Sequence, residues 1–195
     1  MISKQTACEE LRLKMLSARL PLKKTAKNLV FGAGSHDPKV FFIGEAPGAK
    51  EDEQGLPFVG AAGKELETLL NSISLTRDEV FITSILKYRP PGNRAPTFEE
   101  IKAHTPFLVD QIRILKPKVI VTLGNFATKF ILAGMDIYKM SEIAGITQLH
   151  GKVQKIHFEG MNLTVIPVYH PAALLYNRKL KDDLGDDFQA IRDNL

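Results

Sequence analysis

The sequence predicts an α/β fold, a three-layer α/β/α sandwich around a central sheet of four mainly parallel strands. Four short apolar runs are spaced along the chain, and patterns typical of helices lie between them. Near-continuous apolar runs indicate strands that are buried on both faces, as in a parallel sheet. Regular alternation of strands and helices places helices on both faces of that sheet.

The four predicted strands are rich in β-branched and aromatic residues, which favour extended backbone. They span Lys39–Gly44, Val80–Leu86, Lys118–Gly124 and Leu163–Tyr169. The segment Lys152–His157 and the last strand flank the turn-forming stretch EGMN. A β-hairpin is therefore predicted before the last strand.

Helical patterns lie between the strands and at both ends of the chain. Leu66, Leu69 and Leu70 fall on one face of a predicted helix. Thr97 and Glu100, three residues apart, form the capping-box pattern that begins a helix. The predicted helices are the N-terminal segment to Leu16, Gly60–Ser72, Thr97–Leu115, Asn125–Ala133 and Arg178–Leu195.

The bulk properties favour a single domain, residues 1–195, without repeats or linkers. A hydrophobic content of 44% and a charged content of 25% are ordinary for a globular protein. We expect no membrane segment, because no long apolar run and no signal-peptide pattern is present. The lone Cys8 excludes a disulfide framework and a multi-cysteine metal site, which suits the cytoplasm.

The chain is mildly basic, with a formal net charge of +4 and an isoelectric point near 9.1. A polyanionic partner such as nucleic acid would fit this charge. A basic surface without any ligand explains the same numbers equally well.

Unusual residues follow all four predicted strands. In parallel α/β sheets, ligands bind beyond the carboxyl ends of the strands. These ends lead here into Glu45, Ser84, Asn125 and His170. The sequence therefore predicts a functional site where these four residues converge.

The loop GEAPGAKEDEQGLPFVG, residues 44–60, has several interpretations. It could be a turn with a solvated acidic stretch. Glu45, Glu51 and Asp52 could bind a metal, although no histidine lies nearby in sequence. The same carboxylates could instead hold a water or stabilise a cationic centre. A phosphate-binding loop is excluded, because Glu65 follows the Gly-Lys pair at 63–64.

Two further loops combine basic residues with stiff or apolar ones. Arg89 and Arg94 alternate with prolines and a glycine, which suits a bent phosphate backbone or an ordinary connection. After His170, Leu174 and Leu175 precede several basic residues. An exposed apolar wedge of this kind can unstack a duplex, but a buried helix start explains the pattern equally well.

Three ordered motifs resemble the family-4 uracil-DNA glycosylases, the thermophile-type branch of their superfamily. They are GEAPG…ED…G.PFVG.AG at Gly44–Gly63, KYRPPGNR.PT..E at Lys87–Glu100 and HPAALLYN at His170–Asn177. The similarity runs from about Leu16 to the C-terminal helix. It implies hydrolysis of the N-glycosidic bond of deoxyuridine in DNA, which begins base-excision repair.

The resemblance also implies roles for individual residues. Phe58 would stack on a uracil flipped out of the DNA, and His170 would donate a hydrogen bond to the departing base. Glu45 or Glu51 would act on the attacking water or the cation-like sugar. The implied substrate-binding set is Gly44, Ala46, Phe58, Ser84 and Asn125. The implied DNA-binding set is Arg89, Arg94, Leu174, Leu175, Arg178 and Lys179. We expect a monomer whose partner is uracil-containing DNA.

The chain departs from the family at its cluster ligands. The family carries four cysteines that bind a [4Fe–4S] cluster, and the flanking motifs place these positions on Ser17, Leu20, Tyr88 and His104. Cys8 alone cannot bind a cluster. We therefore expect no metal and no cofactor, with packing around Leu20 and Tyr88 in place of the cluster.

A second departure lies after the second strand. The resemblance implies an asparagine that pairs with the uracil edge, but this chain has Ser84. Serine offers one hydroxyl instead of an amide that donates and accepts at once. The sequence thus leaves three readings: a cluster-free uracil-DNA glycosylase, favoured by Glu45, Phe58 and His170; a DNA-binding module without excision; and a glycosylase for another deaminated base.

Overall fold

The sheet is the centre of the molecule in the computed structural model, which describes residues 2–195. Its six strands lie in the order β1-β3-β2-β4-β6-β5. Four of them, β3, β2, β4 and β6, are mutually parallel, and the edge strands β1 and β5 are antiparallel to their neighbours. The strands are β1 Ala33–Gly34, β2 Val40–Gly44, β3 Val80–Ser84, β4 Val119–Leu123, β5 Gln154–Phe158 and β6 Met161–Val168.

The predicted four parallel strands are confirmed, but the strand count of four was too low. The hairpin before the last strand is confirmed as β5–β6, which pairs Phe158 with Met161 at its turn. β1 is only two residues long, Ala33–Gly34, too short for any periodic pattern. The sequence therefore gave no signal for this edge.

The helices cover both faces of the sheet. Their bounds are α1 Lys4–Ser17, α2 Ala49–Gln54, α3 Ala61–Ser72, α4 Phe98–Leu115, α5 Asn125–Leu132, α6 Ile146–Leu149, α7 Ala173–Tyr176 and α8 Lys181–Arg192. The short helices α2, α6 and α7 were not predicted. The segment Arg178–Leu180, predicted as the start of the last helix, is a separate 3₁₀ turn.

Two hydrophobic layers hold the three-layer sandwich together. On one face, α1, α4 and α5 bury side chains against Phe41 and Phe81, whose rings stack at 5.4 Å. On the other face, α3 and α8 pack on Phe42, which lies 6.1 Å from Phe188 of α8. The near-continuous apolar strands are thus buried on both sides, as expected for parallel strands. No helix within residues 2–195 is long and apolar enough to cross a membrane.

The capping box at the start of α4 is confirmed. The Thr97 hydroxyl accepts the Glu100 N–H at 3.3 Å, and the Glu100 carboxylate accepts the Thr97 N–H at 2.8 Å. Glu100 also binds Arg94 of the preceding loop through two hydrogen bonds. The cap therefore fixes that loop as well as the helix.

The implied cluster positions do not form a set of cluster ligands. Ser17 is exposed, and its hydroxyl donates to the Lys14 carbonyl. Leu20 packs against the hydrophobic core and carries no ligand atom. Tyr88 presents a buried phenol rather than a thiolate. An iron–sulfur cluster is held by cysteine thiolates, so these residues do not fit one.

A hydrogen-bonded histidine lies at the centre of this region instead. His104 is fully buried, and its Nδ1 accepts the Lys87 backbone N–H at 3.1 Å. The neutral ring therefore carries its proton on Nε2, which lies 3.3 Å from the Pro21 carbonyl oxygen and donates to it. The Tyr88 ring packs edge-on against the His104 ring, with 6.0 Å between the ring centroids. Packing around Leu20 and Tyr88 was expected, whereas the histidine that joins three segments was not.

Burial lowers the pKa of His104 to about 4. Between that value and the ordinary 6.5, the unfolded chain binds a proton that the folded protein does not. The free energy of unfolding should fall by about 3 kcal/mol from this residue as the pH drops from 7 to 4. Urea unfolding at both pH values measures it.

His104→Leu should remove that part of the pH dependence while lowering stability at pH 7, because the Lys87 amide loses its acceptor. The control is His157→Gln, since His157 is exposed. An unchanged pH dependence in His104→Leu would show that His104 does not titrate as described.

Candidate active site

The carboxyl ends of the parallel strands form one wall of a cavity of about 380 Å³. Glu45 after β2, Ser84 at the end of β3 and His170 after β6 all line it, together with Phe58. The predicted convergence of these strand ends is therefore observed. The remaining lining residues come from the loops at 46–62 and 90–94, from Val30 and from Ala172.

Phe58 forms an aromatic wall of the cavity in an unusual backbone conformation. Its φ is +52°, a value that non-glycine residues seldom adopt. Its ring centroid lies 5.6 Å from that of His170 with an angle of 28° between the planes. The distance is too long for direct face-to-face contact, so the two rings are offset.

The carbonyl side of Phe58 is fixed by Arg77 and Gly63. The Arg77 guanidinium donates to the Phe58 carbonyl oxygen at 2.5 Å. A Cβ atom on Gly63 would lie 1.9 Å from the same oxygen, so only glycine fits there. Arg77 precedes β3 and was not predicted as a site residue, because nothing in its local sequence marks it.

The amide side of the same loop is fixed by Glu51. Its Oε1 accepts the Val59 N–H at 2.9 Å and the Gly60 N–H at 2.8 Å. Glu51 also lines the cavity, but this oxygen is committed to the backbone. Through this oxygen the side chain fixes the Phe58 loop, and the catalytic role expected for Glu51 stays a prediction.

A metal site from the acidic loop is not formed. Asp52 is buried, and its Oδ1 accepts the N–H groups of Lys27 and Asn28. Within residues 2–195, no group of three histidine, cysteine or acidic side chains is placed to bind a metal ion. Two carboxylates of the loop, those of Asp52 and Glu51, thus accept hydrogen bonds from backbone N–H groups.

Glu45 is the carboxylate that stays available in the cavity. It is half-buried, and its carboxylate makes no hydrogen bond or ion pair within residues 2–195. Burial raises the pKa of Glu45 above its ordinary value. A desolvated carboxylate of this kind can accept a proton or a water hydrogen bond.

His170 has a defined tautomer. Its Nδ1 accepts the Ala172 backbone N–H at 3.1 Å, so the proton of the neutral ring is on Nε2. Burial lowers the pKa of His170 to about 4, with the Glu51 charge acting weakly in the opposite direction. At neutral pH the cavity therefore contains a neutral imidazole with an N–H donor.

Ser84 lines the cavity at the end of the sheet, and Gly44 lies beside it on β2 without lining the cavity. Ser84 is 4% exposed and ends β3. A Cβ on Gly44 would lie 2.9 Å from the Phe58 ring and 3.2 Å from Ser84 Oγ. The absence of a side chain at Gly44 keeps these two groups accessible to one ligand. Ala46, the next predicted substrate-binding position, also lines the cavity.

The loop at 87–94 contributes a polar rim. Arg94 lines the cavity and binds Glu100 through hydrogen bonds of 2.8 and 2.5 Å. Arg89 donates to the Asn93 side-chain oxygen at 2.7 Å. Asn93 also lines the cavity and was missed, although an asparagine after glycine in a turn is a recognisable signal.

Two predicted site residues lie elsewhere. Asn125 does not line the cavity, and its Oδ1 accepts the Ile146 N–H at 3.2 Å at the start of α6. Leu174 is 3% exposed and packs in the core with α3 and α8. The expectation of an exposed wedge at Leu174 was therefore wrong, because the first apolar residue of α7 faces inward.

The exposed part of this segment lies one and two residues later. Leu175 is 42% exposed and Tyr176 is 90% exposed. The Arg178 side chain is 74% exposed and lies 3.4 Å from Glu65, and Lys179 is exposed. The exposed aromatic side chain of Tyr176 is thus followed by two basic residues, all within ten residues of His170 in sequence.

Comparison with known proteins agrees with this geometry. The profile of the Uracil DNA glycosylase superfamily matches residues 31–194. The chain is 44% identical to the type-4 uracil-DNA glycosylase of Archaeoglobus fulgidus over 91% of this chain and 87% of that protein.

Two other relatives carry the same name. The type-4 enzyme of Sulfurisphaera tokodaii is 46% identical over 85% of this chain and 74% of its own length. That of Saccharolobus solfataricus is 43% identical over 89% of this chain and 79% of its own length. The chain therefore belongs to the uracil-DNA glycosylase superfamily.

Proposed function

We propose that this protein hydrolyses the N-glycosidic bond of uracil in DNA. The observation that carries the proposal is the neutral His170 in the cavity, whose Nε2–H is left as a donor because Nδ1 accepts the Ala172 N–H. Type-4 uracil-DNA glycosylases are its relatives at 43 to 46% identity. The cavity lined by Phe58 and His170 supports base flipping, since a base must leave the duplex stack to enter it.

The reaction begins with cleavage of the bond between C1′ and uracil N1. The bonding electrons move onto the base, and His170 Nε2–H donates to the uracil oxygen on which negative charge develops. A donor aimed at developing charge lowers the activation free energy by about 2.7–4 kcal/mol. A neutral imidazole suits this role, because it stabilises the anion without first giving up its proton.

Water completes the reaction at the sugar. Glu45 accepts a hydrogen bond from a water beside C1′, and its negative charge also stabilises the cation-like sugar. The water oxygen bonds to C1′, its proton leaves to Glu45 or solvent, and the uracil anion takes up a proton. Glu51 serves this step indirectly, because it fixes the loop that carries Phe58.

DNA is held by the exposed surface around α7. Tyr176 fills the space that the flipped nucleotide leaves in the duplex, and Leu175 supports it. Arg178 and Lys179 neutralise neighbouring phosphates. Tyr176 takes the place expected for Leu174, because its side chain is the most exposed of this segment.

His170→Ala should lower the single-turnover rate of uracil excision by about a hundredfold with nearly unchanged DNA affinity. The substrate is a labelled oligonucleotide with one uracil, treated with alkali after reaction. His157→Ala is the control, because His157 is exposed and lies outside the cavity. An unchanged rate would remove His170 from the mechanism, and an inactive wild type that still binds DNA would favour a binding module.

Ser84→Asn should raise uracil excision by about tenfold, because an amide can pair with both the donor and the acceptor of the uracil edge. The measurement compares oligonucleotides that contain uracil, hypoxanthine or xanthine, with Ser84→Ala as the matched variant. If Ser84→Asn lowers uracil excision while the wild type prefers another base, Ser84 selects that base instead. No change for either variant would place Ser84 outside base recognition.

Tyr176→Ala should lower excision from duplex DNA by about tenfold and leave excision from single strands unchanged, since a single strand needs no unstacking. Tyr138→Ala is the control, because Tyr138 is 66% exposed but lies on a different segment. Equal losses on both substrates would contradict the wedge role.

A further inference from the structure

A buried carboxylate lies behind the site and outside the cavity. Asp187 of α8 is 2% exposed, and its Oδ1 accepts the His150 Nδ1–H at 2.9 Å. Its Oδ2 is buried and accepts no hydrogen bond from the part of the chain that the structure describes. An incompletely satisfied buried carboxylate costs stability, so its presence calls for a compensating role.

His150 joins Asp187 to the residue that precedes His170. The His150 ring lies 4.3 Å from the Tyr169 ring. The next residue after His150 is also tied to β6, because the Gly151 N–H donates to the Pro167 carbonyl at 2.8 Å. The end of β6 is therefore held by the segment after α6, and His150 in that segment is bonded to Asp187 of α8.

Few charged groups face this carboxylate. They are His150 after α6, Tyr169 after β6 and Asp183 one turn earlier on α8. Burial raises the pKa of Asp187, the hydrogen bond from His150 lowers it, and the Asp183 charge raises it. The pairing with His150 therefore opposes the effect of burial and helps to keep the carboxylate ionised.

His170 itself has few fixed contacts on the cavity side. Its Nδ1 accepts the Ala172 N–H within the same turn, and its ring is offset from Phe58. Neither contact ties the backbone of residue 170 to another layer of the fold. Because His170 follows Tyr169 directly in the chain, the placement of its ring also depends on where Tyr169 is held.

We propose that Asp187, together with His150, is a positioning residue that sets the placement of His170 by holding the His150 ring against Tyr169. The inference rests on the proposed function, in which His170 donates to the departing base. It adds a role for two residues that neither line the cavity nor contact the substrate.

The kinetic test uses Asp187→Ala, Asp187→Asn and the matched control Asp186→Asn, because Asp186 is the exposed neighbour on the same helix. Asp187→Ala should lower the single-turnover rate of uracil excision about tenfold and change the Kd for DNA less than twofold. Asp187→Asn keeps an oxygen for the His150 N–H and should stay within threefold of the wild type. A full rate in Asp187→Ala, or an equal loss in Asp186→Asn, would overturn the proposal.

An NMR test requires no activity. The imidazole resonances of His170, assigned with His170→Gln, should shift in Asp187→Ala and in His150→Leu but not in Asp186→Asn. Shifted resonances in an enzyme that excises no uracil would uphold the positioning role and reject the proposed function. A lower Tm with unmoved His170 resonances would mean that Asp187 serves stability only, which overturns the proposal. If Asp187→Ala does not fold, His150→Leu gives the same decision, because the His150 side chain is 27% exposed, against 3% for Asp187.

Discussion

The parallel pairing of β3, β2, β4 and β6 is the constraint on which the site depends. Parallel strands end at the same edge, so their successors in sequence become neighbours in space. Gly44 pairs with Ser84, and Leu123 pairs with Val168, two residues before His170. A shift of one residue in either pairing would turn a different side chain towards the cavity. The hydrophobic layers on both faces oppose such a shift, because it would exchange the side chains that pack in the two layers.

Sequence patterns predicted what depends on local order and missed what depends on distant contacts. The parallel strands, the α4 cap and the convergence at Glu45, Ser84 and His170 follow from periodicity and strand-end position. The hydrogen bonds of Glu51 did not, because its partners are amides eight and nine residues away. Leu174 was misplaced since an apolar pair does not reveal which member faces the core.

Two buried histidines show how the fold uses imidazole as a neutral group. In each, Nδ1 accepts a backbone N–H, from Lys87 to His104 and from Ala172 to His170. Burial opposes protonation of both rings, so each is a donor through Nε2 alone. In His104 this donor joins two segments of the chain, and in His170 the ring lines the cavity. The same chemistry thus serves stability in one place and supports the proposed catalysis in the other.

The anchors of Phe58 have a thermodynamic consequence for ligand binding. Glu51, Arg77 and Gly63 hold the backbone around an unfavourable φ from both sides. The conformational entropy of this loop is therefore lost when the chain folds, and little of it remains to be lost when a base arrives. Such preorganisation converts folding stability into affinity. It also means that substitutions at Arg77, which bonds to the Phe58 carbonyl without lining the cavity, would weaken binding by loosening the loop rather than by removing a contact to the ligand.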